Sequence, residues 1–238
     1  MIFPVKVPYT VGPDIAKYEG AAFNAHPNPA YLVEKNKELE TNGNHICASI
    51  NNDYLHHLNA YCGFDLNTTL PEICVRLEED IAILKDGHLH TIGFCFPSGF
   101  YPAQKLGLSF FDLHLPVGDG ETLRRSSEKV ALLISKQDAM FRRYVWTLTS
   151  LASLSQLPSY NKPVPQSINE LYFRTETQTT VGIGGDICLF FVKVEMHPLQ
   201  QVWDDLDKRK IVIESVNSMS EEVLTYKNLH LIKEIVNK

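Results

Sequence analysis

Two hydrophobic periods run along this chain. In "NTTLPEICVRLEEDIAILKDG" (67–87), Ile73, Cys74, Leu77, Ile81 and Leu84 recur at helical spacing. Thr69 and Glu72 stand at capping-box spacing, Pro71 suits a first turn, and Gly87 is placed to end the helix. This pattern predicts one long helix with Glu78, Glu79 and Asp80 on its polar side. A shorter helix is expected around "PAYLVEKNKELE" (29–40), and another over "SSEKVALLISKQDAMFRR" (126–143), starting near Ser126.

Strand character dominates elsewhere. "HLHTIGFCF" (88–96) is stopped by Pro97, and "PSGFYPAQKLG" (97–107) reads as a loop, its prolines and glycines too closely spaced for regular structure. "YVWTLTSL" (144–151), "NELYFRTETQTTVGI" (169–183) and "DICLFFVKVEM" (186–196) are rich in β-branched and aromatic residues. Gly184-Gly185-Asp186 joins the last two as a tight hairpin. "PLQQVWDDLDKRKIVIESV" (198–216) and "SEEVLTYKNLHLIKEIV" (220–236) read as closing helices. Helices, then consecutive antiparallel strands, then helices again make the fold class α+β. No repeat or interdomain linker divides the chain.

Composition narrows the function classes. The 238 residues carry a formal net charge of -6 with dispersed Lys and Arg, which argues against nucleic acid and anionic membranes as partners. No apolar run approaches a bilayer span, and "MIFPVKVPYT" is too short and proline-broken for a signal-peptide core. Five scattered cysteines with no C-x-x-C pair fit reduced thiols, and a cytoplasmic location is expected.

Several side chains are candidates for chemistry. On a strand over 172–178, Arg174, Glu176 and Gln178 share one face. That face is either a solvated surface with an Arg–Glu pair or a polar wall lining a pocket. His88 and His90, as H-x-H, can supply two metal ligands but lack a fixed third. His56 and His57 are adjacent on a helix and are expected to diverge. His114 lies in "FFDLHLPVGDG" (110–120), where a loop histidine either bonds to backbone or presents a ring nitrogen to a metal. The glycines of "VGIGGD" lack the context and lysine of a phosphate loop.

Fragments of the chain then fall into a family order. "EEDIAIL", "FPSGFYPAQKLGLSFFDLHLPV", "RRYVW" and "LYFRTETQTT" ahead of "CLFFVKVEMHPL" resemble the haem-dependent oxidative N-demethylase alpha-subunit family. Its pattern is F-P…W-x-P-x-x-K-x-G…I-H-x-P-V-P, then R-x-N-W and R-x-E-R-Q-T, and the resemblance covers about residues 70 to 205. Phe100, Gly118, Val145 and Thr177 stand where the family has Trp, Pro, Asn and Arg, and "VGIGG" follows where the family has a proline after Q-T.

The resemblance implies one PAS-like domain over 1–238. It would be a curved antiparallel sheet flanked by helices, with an N-terminal extension (1–68) and a C-terminal helical tail (about 198–238). It implies a haem cofactor with His114 as the iron's axial ligand, and Lys105 and Arg143 beside the anionic propionates. Arg174, Glu176 and Gln178 would form the catalytic wall, with Glu176 holding a cationic amine or taking its proton. The activity implied is O2-dependent oxidative N-demethylation of a small secondary or tertiary amine, with electrons from a separate flavin/iron–sulfur reductase. Two alternatives share the fold: a non-enzymatic haem protein that binds or senses a gas or small molecule, and a haem-free relic that binds a small ligand.

Overall fold

The computed structural model describes residues 1–238. Its elements are β1 (Ala16–Lys17), α1 (Pro29–Ile46), β2 (Cys47–Ser49), α2 (Leu55–Cys62), α3 (Leu70–Cys74), β3 (Asp80–Lys85), β4 (His88–Gly93), α4 (Phe110–Leu113) and α5 (Glu121–Ile134). There follow β5 (Met140–Thr149), β6 (Tyr172–Gly184), β7 (Ile187–Pro198), α6 (Gln200–Trp203), α7 (Leu206–Asn217), α8 (Glu221–Lys227) and α9 (His230–Val236). The strands make one antiparallel sheet in the order β1-β5-β6-β7-β3-β4-β2, with helices against it. The class is α+β.

The long helix expected over 67–87 does not form. Its capping box is present, but the helix ends at Cys74 and the chain turns into β3. Ile81, Ala82, Ile83 and Leu84 are consecutive and all buried, because β3 lies between β7 and β4 and is covered on both faces. A doubly buried strand has no polar face, so its apolar run also satisfies a helical stripe. Gly87 belongs to the β3–β4 turn, where Asp86 (φ 50°) and Gly87 (φ 71°) adopt the left-handed pair a two-residue hairpin needs. Glu78, Glu79 and Asp80 are buried rather than solvent-facing.

The helix expected over 126–143 is displaced. It starts at Glu121 and ends at Ile134, and Met140 to Arg143 open β5 instead. The two closing helices break into four, at the Asp205 N-cap and at left-handed Asn228. Three other expectations match the structure. Gly184, Gly185 and Asp186 all take positive φ and close the β6–β7 hairpin, α1 covers the first predicted helix, and the five cysteines are free thiols. No helix is long and apolar enough to cross a membrane.

Residues paired across strands point to the same side, so the register defines two faces. On the first, Trp146, Leu148 and Phe173 pack under α6–α9, and Ile81, Ile83 and Phe191 join the core with Ile73 of α3 and Leu58 of α2. On the second, Leu84, Phe141 and Cys188 pack with Val130 and Ile134 of α5. The second face is apolar around Phe190 and becomes charged along β5 and β6.

Candidate functional site

The charged part of the second face follows directly from the β5–β6 register. Arg143 pairs with Gln178, Val145 with Glu176 and Thr147 with Arg174. Arg174 is buried, at 1% exposure: it donates from Nη1 to Glu176 Oε1 and from Nη2 to the Phe96 carbonyl at 2.8 Å, while its Nε has no partner. Gln178 donates to the other Glu176 oxygen at 2.8 Å. Burial alone would push the Glu176 carboxyl up. The Arg174 guanidinium, the hydrogen bonds from Arg174 and Gln178, and the Lys227 ammonium outweigh burial and hold it below the usual carboxylate range. Glu176 is therefore an oriented anion at neutral pH.

His114 caps the C-terminus of α4, a single turn started by the Ser109 side chain. Its Nδ1 lies 2.6 Å from the Phe110 carbonyl, which can only accept, so Nδ1 carries the proton and Nε2 keeps its lone pair. The ring also packs on Phe110, with centroids 4.5 Å apart. Burial pushes its pKa down and the nearby Arg143 adds to this, against the opposing bond to Phe110. His114 is a half-buried, neutral imidazole with one nitrogen fixed and the other available. Its loop is seated against α8, because a Cβ on Gly118 would come within 2.5 Å of the Glu222 backbone.

Arg143, paired with Gln178 across β5 and β6, is near enough to His114 to lower its pKa, and Glu176 raises that of Arg143. Its Nε is buried with no hydrogen-bond partner. Lys227 reaches in from the end of α8 and donates to the Trp146 carbonyl at 2.9 Å, on the edge of β5 that two-residue β1 leaves uncovered. Burial pushes its ammonium down to about 8, with Glu176 opposing and Arg143 and Arg174 adding to the depression. The phenols of Tyr9 and Tyr226 border the same charges and are pushed up by burial, Tyr9 to about 12.

The structure thus brings His114, Arg143, Arg174, Glu176 and Gln178 together. Lys105 stands apart from them, at the end of a 3-10 turn (Pro102–Lys105) against α1, β2 and β4. Its side chain makes no hydrogen bond or ion pair, although its neighbour Leu106 packs on the apolar part of the second face. That part centres on Phe190, with Phe94 at 6.3 Å and Leu106 and Leu113 on the same cluster. Phe190 sits on a central strand and is still only half-buried, so an apolar floor adjoins the charged group.

Lys227, Tyr226 and Tyr9 were not legible from spacing. They reach β5 from the two ends of the chain. The H-x-H pair carries no site: His88 Nδ1 lies 2.9 Å from the Asp86 carbonyl, His90 stacks edge-on to Tyr54, and no three His, Cys, Asp or Glu side chains converge as a ligand set. His56 and His57 do not diverge. Their ring centroids are 3.9 Å apart, since side-chain torsions can lean neighbouring rings together on the side of α2 that faces away from its buried Leu55 and Leu58.

A profile of the family described as haem-dependent oxidative N-demethylase, alpha subunit-like, matches residues 32–237. The chain belongs to this family. No curated protein matches it. The match reaches beyond the motifs around β3 to β7. It takes in α1 at one end and α8 with Lys227 at the other. The haem dependence in the family's description can be tested against the residues present. A neutral histidine with a free Nε2, an apolar floor and an unpartnered arginine are the three things a haem needs: an axial donor, an apolar surface for the ring, and a cation for its carboxylates. The donor set fits.

Proposed function

We propose that the chain binds haem through His114 and, with electrons from a separate flavin/iron–sulfur reductase, carries out O2-dependent N-demethylation of a small secondary or tertiary amine. The observation that carries this reading is the His114 hydrogen bond to Phe110, within a chain that belongs to this family. Holding Nδ1–H on a carbonyl fixes the tautomer and ring orientation of a metal-ligating histidine and raises the basicity of Nε2. A PAS-like arrangement is part of the same proposal, supported by the antiparallel sheet with α4 and α5 on its second face.

When bound, the haem supplies the iron that activates oxygen. Overall, a methyl C–H is oxidised and the N–C bond breaks. One oxygen atom leaves in formaldehyde, and the other takes two electrons and two protons to become water. The chain's own residues do the rest. Phe190, Phe94 and Leu113 would offer the haem an apolar, water-excluding surface, and Arg143 and Lys105 would be the cations for its propionates. Glu176, held ionised by Arg174 and Gln178, sets a negative charge toward an ammonium group. Its depressed pKa makes it an electrostatic partner, not a proton acceptor, at neutral pH.

One observation favours a second reading, a haem protein that binds a small molecule without turnover. Both Glu176 oxygens are already occupied, by Arg174 and Gln178, which leaves less of the carboxylate for an amine. Formaldehyde release separates the two. The haem-loaded chain, given a chemical reductant, oxygen and dimethylamine, is expected to release formaldehyde in proportion to amine consumed. A stable oxygen complex with no formaldehyde would support the binding protein, and no haem uptake at all would support a haem-free relic.

A further inference from the structure

The charges around Glu176 do not balance. Arg174 and Glu176 neutralise each other as an ion pair, with Arg174 Nη2 on the Phe96 carbonyl and only its Nε unpartnered. Two cations remain. Arg143 has its Nε buried without a partner, and Lys227 has one neutral carbonyl and the face of the neutral Tyr9 ring, 5.5 Å from its ammonium. The phenols bordering them stay protonated, so they offer no charge. Asp14, the other carboxylate near Arg143, is on the exposed N-terminal segment and pairs at 3.8 Å with Lys6. Arg143 and Lys227 are both half-buried, and drawing two cations even partly out of water with so little compensation is unfavourable unless an anion joins them. Their positions are fixed independently, one on β5 and the other by the Trp146 carbonyl three residues along the same strand, and the His114 loop meets α8, which carries Lys227, at Gly118.

We infer that Lys227 and Arg143 form a carboxylate-binding pole of this site, so that the molecule it takes carries at least one carboxylate. A guanidinium fork beside an ammonium point charge is the pairing that holds a carboxylate in one orientation. The inference rests on the haem reading only for which carboxylate is bound. That group is either a porphyrin propionate or the acid group of an N-methyl amino acid substrate. A net positive pole favours either over a simple cationic amine. Burial holds the Lys227 pKa down to about 8, with Glu176 opposing and Arg143 and Arg174 adding, while Tyr226 and Tyr9 stay neutral beside it. A bound carboxylate favours the charged ammonium, so binding is tighter below pH of about 8 and weakens above it.

The test uses the full chain with iron-free protoporphyrin IX and its dimethyl ester, titrated by porphyrin fluorescence. Iron-free porphyrin keeps the propionates and needs no axial ligand, so it reports the pole apart from His114. The free acid is expected to bind about ten- to a hundredfold more tightly than the ester, the size of a charged hydrogen bond. Lys227→Met should remove most of that preference and Lys227→Arg restore it, which separates a lost contact from a lost fold. A second arm titrates the same proteins with N-methylglycine and dimethylamine, following the haem absorption band or, without haem, the thermal unfolding midpoint. Loss of N-methylglycine binding in Lys227→Met with porphyrin preference intact assigns the pole to substrate, and the reverse assigns it to the propionates. Equal binding of acid and ester, together with equal responses to N-methylglycine and dimethylamine, would overturn the inference. An intact acid preference in a chain that never releases formaldehyde would overturn the demethylase reading alone.

Discussion

Two lysines of this molecule, Lys35 fully buried and Lys227 half-buried, are treated in opposite ways. Lys35 of α1 is fully buried and fully satisfied: its ammonium lies 3.1 Å from Asp80 and 2.5 Å from the Glu79 carbonyl. Asp80 in turn accepts the backbone N–H groups of Cys95 and Phe96. Burial opposes the charge on Lys35, but Asp80, with the nearby Cys95 and Cys74 thiols, outweighs it and the pKa is raised. Lys227 has one carbonyl and two cationic neighbours, and its pKa falls to about 8. A buried charge with a complete set of partners is architecture. A half-buried charge left short of partners, near an arginine whose Nε has none, is the observation on which the proposed carboxylate pole rests.

The largest effect expected from this contrast is at Lys35. Lys35→Met leaves Asp80 buried without its counter-charge and should lower stability by about 3–5 kcal/mol in denaturant unfolding. Lys227→Met removes one hydrogen bond to a carbonyl and a minor support of the Glu176 charge, and should cost the ligand-free chain much less than Lys35→Met. Similar losses for the two variants would end the distinction.

Glu176→Gln strands the buried Arg174 guanidinium and should cost about 2–3 kcal/mol. In haem-loaded protein it should keep the haem spectrum and weaken dimethylamine binding. An unchanged amine titration would remove Glu176 from the site. Gly118→Ala should cost about 1–2 kcal/mol by forcing the His114 loop off α8, and porphyrin affinity should fall with it. A fully stable variant would show that loop and helix are not in close contact.

The smallest effect is a slope. Because the folded Lys227 pKa lies below its unfolded value of about 10.5, the folded chain carries a penalty that is present in full below pH of about 8. That penalty is relieved as pH rises from about 8 toward about 10.5. Ligand-free wild type should therefore gain stability over that window relative to Lys227→Met. Parallel curves for the two proteins would contradict the depressed pKa.

The parts of this molecule that were legible in the sequence are those decided locally. The polar face of β6 follows from two-residue alternation, the β6–β7 hairpin from Gly184-Gly185-Asp186, and the start of α3 from Thr69 and Glu72. β3 was hidden because Ile81 to Leu84 is apolar on both faces, which suits a helical stripe as well as a strand. Arg143 was placed on a helix because the turn at Asp138 (φ 60°) carries no proline or glycine to mark it. Lys227 was invisible for a different reason: its partner, the Trp146 carbonyl, is 81 residues away. His114 stood out as a loop histidine, its role as iron ligand came only from resemblance, and its tautomer became readable only once Phe110 was seen beneath it.

The most direct measurement is the absorption spectrum of wild type and His114→Ala, each produced with ample haem and then reduced. The account predicts one haem per chain in wild type, with a Soret band that shifts on reduction, and loss of that axially ligated spectrum in a folded His114→Ala. The same spectrum in both proteins would show that His114 does not hold the iron. No haem in wild type would contradict the account at its centre.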